Sequence, residues 1–172
     1  VTVRVETDEA PDDVEADSDL VKQLLLNLVG NAIKFSPSGA AVTLRADRAA
    51  LPGDAGDASA WRVSVIDQGG GIPEALIERI FERFYRIETK DGRRAPGTGL
   101  GLAIARHIVD LHGGTLGVAN APSGGSIFTA VLPCRQLAPQ AVRAVAGDLV
   151  DGAAARDLLE AAVGMISEVM EA

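Results

Sequence analysis

Val1, Val3 and Val5 alternate with polar residues, the period-two pattern of a half-buried strand. From about Ser18 to Phe35 the period becomes helical. Val21, Leu25, Leu28, Val29, Ala32 and Ile33 share one broad arc at roughly 100° per residue. Asp17 or Ser18 supplies the expected N-cap, and Ser36-Pro37-Ser38-Gly39 the stop. Two strands follow, Ala41–Ala49 and Trp61–Asp67, divided by the loop-forming Pro52-Gly53-Asp54-Ala55-Gly56-Asp57. After a glycine turn the pattern predicts a short helix near Glu74–Phe84 and a loop to Gly97. A longer helix then runs from about Gly99 to His112, with Leu100, Ile104, Ile108 and Leu111 on one stripe. Gly113-Gly114 ends it. Thr115–Asn120 and Ser126–Leu132 read as a hairpin closed by Pro133. This β-α-β-β-α-α-β-β order, with its late antiparallel hairpin, predicts an α/β sandwich rather than a doubly wound parallel sheet.

From Arg135 to Ala172 the character changes. That stretch is rich in alanine and has no Phe, Trp or Tyr. Leu159, Val163, Ile166 and Met170 fall on one helical seam. The chain therefore divides into a core at 1–134 and a helical extension at 135–172. The extension either packs on its own domain or docks a second copy or a partner through 157–171.

Composition narrows the function classes. The chain has 172 residues, 47% hydrophobic but only 3% aromatic, enough for an aliphatic core and poor in stacking surface for single-stranded nucleic acid. A formal charge of −8 argues against a duplex-binding module, which needs positive surface to displace counterions. No apolar run approaches the ~18 residues of a membrane span. Val1–Asp19 is acidic with Arg4 as its one base, the reverse of a secretory leader, so a soluble, cytoplasmic domain is expected. Cys134 is alone, which excludes a disulfide framework and a cysteine zinc site. The charge is uneven, however. Between Arg79 and Arg94 six bases (Arg79, Arg83, Arg86, Lys90, Arg93, Arg94) meet three acids, Glu82, Glu88 and Asp91. An ordinary solvated helix and loop would read the same way.

Three constellations carry candidate chemistry. Asn27, Asn31 and Lys34 stack on the polar arc of the first helix at i, i+4 and i+7. They form either a plain amphipathic face or a set suited to a metal–phosphate group, with hard carboxamide oxygens and one ammonium. Asp67-Gln68-Gly69-Gly70-Gly71-Ile72-Pro73 directly follows an apolar strand. It is either a glycine turn opened by Asp, or a carboxylate placed to accept from an exocyclic amine, with glycines admitting a flat ring. Gly97-Thr98-Gly99-Leu100-Gly101-Leu102 enters the long helix, where free N–H groups and the macrodipole favour an anion. It fits neither a Rossmann fingerprint nor a P-loop.

In this order the three motifs resemble a known family, the catalytic ATP-binding domain of sensor histidine kinases. Leu24 to Pro37 is similar to its N box, Asp67 to Ile72 to its G1 box, Phe81 to Arg86 to its F box and Gly97 to Leu102 to its G2 box. Gly124-Gly125-Ser126-Ile127-Phe128, running into Leu132-Pro133, is similar to its closing strand. The resemblance covers about residues 1–134. It implies a Bergerat-type two-layer α/β sandwich, a mixed, largely antiparallel sheet with three helices on one face and ATP·Mg²⁺ beneath a flexible lid.

Carried over residue by residue, the resemblance makes Asn31 the Mg²⁺ ligand, puts Asn27 beside the phosphates and sets Lys34 on phosphate oxygens. Phe35 would pack near the adenine, and Asp67 would take the adenine amine, with Gly69 and Gly71 giving it room. Pro73 to Pro96 would be the lid, anchored by Phe81 and Phe84, with its basic surplus, Arg86 included, facing the triphosphate. Gly97, Gly99 and Gly101 would hold the phosphates and hinge the lid. Ile72, Thr98, Leu100, Leu102 and Ser126 complete the expected nucleotide-binding set.

One position discriminates within the wider superfamily. The gyrase and Hsp90 branch has a glutamate near the start of this box as general base for water. Here that position holds Asn27, an amide unable to take a proton, which favours transfer over hydrolysis. His107 and His112 both read as structural, so the acceptor histidine is expected on a separate helical hairpin, with a response regulator downstream. Two other readings are a serine kinase of the anti-sigma-factor type and a nucleotide-binding adaptor acting through the C-terminal helix.

Overall fold

The computed structural model describes residues 1–11, 14, 16–50, 60–87, 97–134, 157–162 and 164–165. Five strands form one sheet: β1 (Thr2–Glu9), β2 (Ala41–Ala49), β3 (Ala60–Ile66), β4 (Thr115–Asn120) and β5 (Ser126–Pro133), in the order β1-β2-β3-β5-β4. β1 and β2 run parallel, joined across helix α1 (Ser18–Phe35), and every other pairing is antiparallel. This is the mixed, largely antiparallel sheet that the resemblance implies.

Register puts the large apolar residues on one face. Leu44 pairs with Val65 and Val65 with Phe128, while Ala46, Val63 and Ala130 form the next row. Trp61 and Leu132 close the far end, both buried. α1 lays Val21, Leu24, Leu25, Leu28, Val29 and Ala32 onto this face, close to the expected arc with Leu24 added and Ile33 at its margin. The opposite face is polar, with the ion pairs Arg45–Glu6 at 2.7 Å and Arg62–Asp47. Alternation along each strand thus separates core from solvent.

Capping fixes both ends of α1. The Asp17 carboxylate accepts from the N–H groups of Asp19 and Leu20 at 3.0 and 3.1 Å. The Ser36 N–H donates to Ala32 O at 3.1 Å, and Pro37 prevents continuation.

Helix α2 (Gly101–Leu111) differs from expectation in its facing. Its buried residues are Ala105, Ile108 and Val109, whereas Leu111 is 50% exposed. The buried arc is turned by about 90° from the Leu100–Ile104–Ile108–Leu111 stripe. Ala105 brings α2 close to α1, while Leu102 and Ile104 are only partly covered. At its end, His112 is buried and joins two elements. Its Nδ1–H donates to Ile108 O at 2.8 Å, and its Nε2 accepts from the Asp17 N–H at 3.3 Å. His112 is thus structural, tying the end of α2 to the N-cap of α1.

The short helix expected near Glu74–Phe84 is instead two single 3₁₀ turns, Glu74–Leu76 and Arg79–Phe81. Only Ile80 and Phe81 are buried there, too short an apolar seam to drive a continuous helix. At the C-terminus residues 157–162 are helical. Leu158, Leu159 and Ala162 belong to the same buried cluster as α1 and the sheet, so this part packs on its own domain. Val163, Ile166 and Met170 of the expected seam lie outside the described residues.

Candidate functional site

A cavity of about 570 Å³ opens between the C-terminal half of α1, the loop after β3, the 3₁₀ segment and the N-terminus of α2. Its lining includes Asn31, Lys34, Phe35, Asp67, Gly71, Ile72, Arg86, Gly97, Thr98, Gly99, Gly101, Leu102 and Ser126. Residues far apart in the chain thus converge as the motif order predicted. Asn27, Gly69, Phe81, Phe84 and Leu100 do not line the cavity; each stands in a supporting position.

One end of the cavity is built around Asp67, 3% exposed at the end of β3. Its Oδ1 accepts from the Gly69 N–H at 2.7 Å and the Ser126 N–H at 3.1 Å. The Asp67 N–H in turn donates to Ser126 O at 2.9 Å. Both side-chain bonds fall on Oδ1, leaving Oδ2 without a protein partner among the described residues. A buried carboxylate oriented by backbone donors is a fixed acceptor for an N–H donor entering the cavity.

The glycines here also serve the protein's own close contacts. A Cβ on Gly69 would lie 2.7 Å from Phe35 O and 2.9 Å from Asp67 Oδ1. Gly71 has φ +71°, and its Cβ would meet Asn120 Oδ1 at 2.9 Å. Gly69 therefore lets the β3 loop seat on the end of α1.

The other end is polar and cationic. Gly101 begins α2, which has no side-chain cap, so its first N–H groups point free. A Cβ on Gly101 would stand 3.3 Å from Asn27 Oδ1 and 3.7 Å from Asn31 Nδ2, so both amides lie against this helix start. Asn27 Nδ2 is buried without a partner among the described residues, an orphan donor. Lys34 lies 4.7 Å above the Phe35 ring, and its Nζ would be 2.7 Å from a Cβ on Gly97. Partial burial, and after it the Arg86 guanidinium, hold the Lys34 ammonium below the ordinary lysine pKa. Two like charges facing one cavity create a site for an anion.

Between these ends the walls are apolar. Ile80, Tyr85, Ile87 and Phe128 line the cavity and were not among the expected site residues. Phe128 was findable, because it shares inward parity with Ala130 and Leu132 on β5.

Phe81 and Phe84 behave differently from each other. Phe81 is buried, edge-on to Phe128 at 6.5 Å, with the Arg106 guanidinium 5.0 Å over its ring. It anchors the segment as expected. Phe84 is 70% exposed and its ring anchors nothing. Its φ of 64° is left-handed, which turns the ring to solvent while its N–H donates to Gly99 O at 2.8 Å. A Cβ on Gly99 would fall 2.8 Å from the Phe84 carbonyl carbon. The backbone at Phe84 is the anchor. Lys90, Arg93 and Arg94 of the basic stretch lie outside the described residues.

Among the described residues no group of His, Cys, Asp and Glu could hold a metal ion, and no helix is long and apolar enough to cross a membrane. A divalent cation would thus have to share its ligands with an incoming anion. The carboxamide oxygen of Asn31, in the lining, suits a hexacoordinate oxygen-seeking ion that keeps waters and takes phosphate ligands, while the orphan Asn27 Nδ2 is a donor and suits an anion's oxygen.

Comparison with known proteins agrees with this geometry. Residues 16–136 match the family described as histidine kinase-, DNA gyrase B- and HSP90-like ATPases. The hybrid signal transduction histidine kinase D of Dictyostelium discoideum is 42% identical over 118 residues, covering 68% of this chain and 7% of that protein. The sensor histidine kinase WalK of Bacillus subtilis is 38% identical over 123 residues, covering 72% of this chain and 19% of its own length. The chain thus spans under a fifth of these two relatives. The solved catalytic domain of histidine kinase ThkA is 36% identical with a TM-score of 0.62, covering 77% of this chain and 79% of that one.

Proposed function

Because the chain belongs to the histidine kinase-, DNA gyrase B- and HSP90-like ATPase family, and its fold is that of histidine kinase catalytic domains, we propose that it transfers the γ-phosphate of ATP to a histidine. The acceptor sits on a dimerisation and phosphoacceptor helical hairpin distinct from this fold, and a response regulator takes the phosphate onward. ATP as donor implies a cytoplasmic site. The observation that carries the reading is the polarity of the cavity, with one open carboxylate oxygen at Asp67 and two cations with uncapped helix N–H groups at the other end.

In this reading Asp67 Oδ2 accepts from the exocyclic amine of adenine, whose ring lies between Ile72 and Phe128. Lys34, Arg86 and the first N–H groups of α2 bind phosphate oxygens, with Gly97, Thr98, Gly99 and Gly101 admitting the chain closely. Asn31, supported by Asn27, would hold Mg²⁺, which offsets charge on the phosphates. During transfer the bond from the γ-phosphorus to the bridging oxygen breaks as one to the imidazole nitrogen forms, and ADP leaves. Catalysis rests on alignment and charge neutralisation. Asn27 supplies no base for water, and His112 is occupied between Ile108 and Asp17.

Mixing the chain with a histidine-bearing helical hairpin and labelled ATP tests this. The expected product is acid-labile phosphate on the hairpin, reduced about 100-fold or more by Asn31→Ala. Unchanged transfer by that variant contradicts the site, and an acid-stable product would point to a serine acceptor. The relatives' names as histidine kinases favour histidine over serine.

A further inference from the structure

At the end of β4, Asn120 makes an unusual contact for a strand terminus. Its Oδ1 accepts from the Ile72 N–H at 2.7 Å, and its Nδ2 donates to Ile72 O at 2.8 Å. One carboxamide thus holds both backbone groups of a residue that belongs to no strand, as a neighbouring strand would. Gly71 makes room for this contact, since a Cβ there would crowd Asn120 Oδ1.

Asn120 is also the register partner of Ser126 across the β4–β5 hairpin. Ser126 exchanges bonds with Asp67 at the opposite end of the same loop. A single cross-strand pair therefore grips the first and last residues of Asp67–Ile72, and with them the carboxylate and the wall of the cavity. Gly125 strengthens the grip, because a Cβ there would collide with the Asp67 carbonyl.

We propose that Asn120 is a positioning residue for the adenine end of the cavity, setting the position and orientation of the wall that Ile72 contributes. The proposal rests on the ATP-binding reading above. Asn120 stands outside the cavity lining and Ile72 within it, so its loss weakens the base and spares the phosphates. Side chains that provide a donor and an acceptor together satisfy Ile72; Ala provides neither, and an ionised Asp provides acceptors only.

Calorimetric titration of ATP and ADP into the full chain tests this. Asn120→Ala is expected to weaken both nucleotides by the same factor, about tenfold, because they share the base. Asn120→Asp is expected to bind weakly at neutral pH and to recover relative to the unmodified chain as its carboxyl protonates towards about pH 4. That recovery keeps the test decisive if the Ala variant fails to fold by circular dichroism. Unchanged binding by Asn120→Ala, unequal loss of ATP and ADP, or no acid recovery by Asn120→Asp overturns the proposal. An unmodified chain that binds neither nucleotide overturns the ATP reading itself, and the proposal with it.

Discussion

Lys34 and Arg86 illustrate how an anion site is prepared before the anion arrives. Burial and the neighbouring guanidinium both disfavour the Lys34 ammonium in the folded domain. The unfolded chain therefore holds that proton more tightly. Between the depressed folded pKa and the ordinary unfolded one, the unfolded state carries more protons, so the nucleotide-free domain gains stability as pH rises. Bound phosphate has the opposite effect, because it favours the ammonium. ATP affinity should then fall as pH rises through the depressed Lys34 pKa towards the ordinary lysine range, with proton uptake on binding. Calorimetry in buffers of different ionisation enthalpy measures that uptake, and Lys34→Gln should bind weakly at every pH and lose the dependence. A flat affinity profile in the unmodified chain would separate Lys34 from the phosphates.

The elements fall into two groups according to what determines them. α1, β2 and β4 have the boundaries read from the sequence, because caps, proline and alternation are local signals. The segment from Pro73 to Ile87 carries no comparable local signal. Its form is set by where Ile80 and Tyr85 reach the cavity, by Phe81 packing on Phe128 and by the bond from Phe84 to Gly99. α2 was legible as a helix but its facing was not, since Ala105, fully buried, is a weak hydrophobic signal. Asn120 was invisible for a similar reason: a single amide at a strand end looks like any surface residue until its partner is known. At this scale the pairing of Phe84 with Gly99 makes a definite prediction. Gly99→Ala strains a left-handed backbone and presses on Phe84, which should cost about 1–3 kcal/mol in denaturant unfolding and weaken ATP binding. Phe84→Gly relieves the left-handed strain at an exposed position and should leave stability equal or up to about 1 kcal/mol higher.

For the molecule as a whole, the sandwich supplies a rigid floor and the cavity sits where its loops meet. Most of the site was readable from the sequence, because each motif combines a residue type with a reason to be at an element's end. Asp67 closes β3, Gly101 opens α2 and Asn31 lies a turn from the end of α1. Apolar walls were less readable, as Ile80 and Ile87 look like any core residue until two elements close around a space. The extension at 135–172 also changed in meaning. Leu158, Leu159 and Ala162 are buried in the core, which ties part of it to the kinase fold.

The most direct test of the central claim is titration of ATP with Mg²⁺ into the unmodified chain and into Asp67→Asn. The account predicts one ATP per chain for the former. It predicts a loss of roughly 10–100-fold for the latter, the worth of a hydrogen bond to a charged acceptor, with the fold intact by circular dichroism. Equal affinity in the two proteins, or no binding by either, would contradict it.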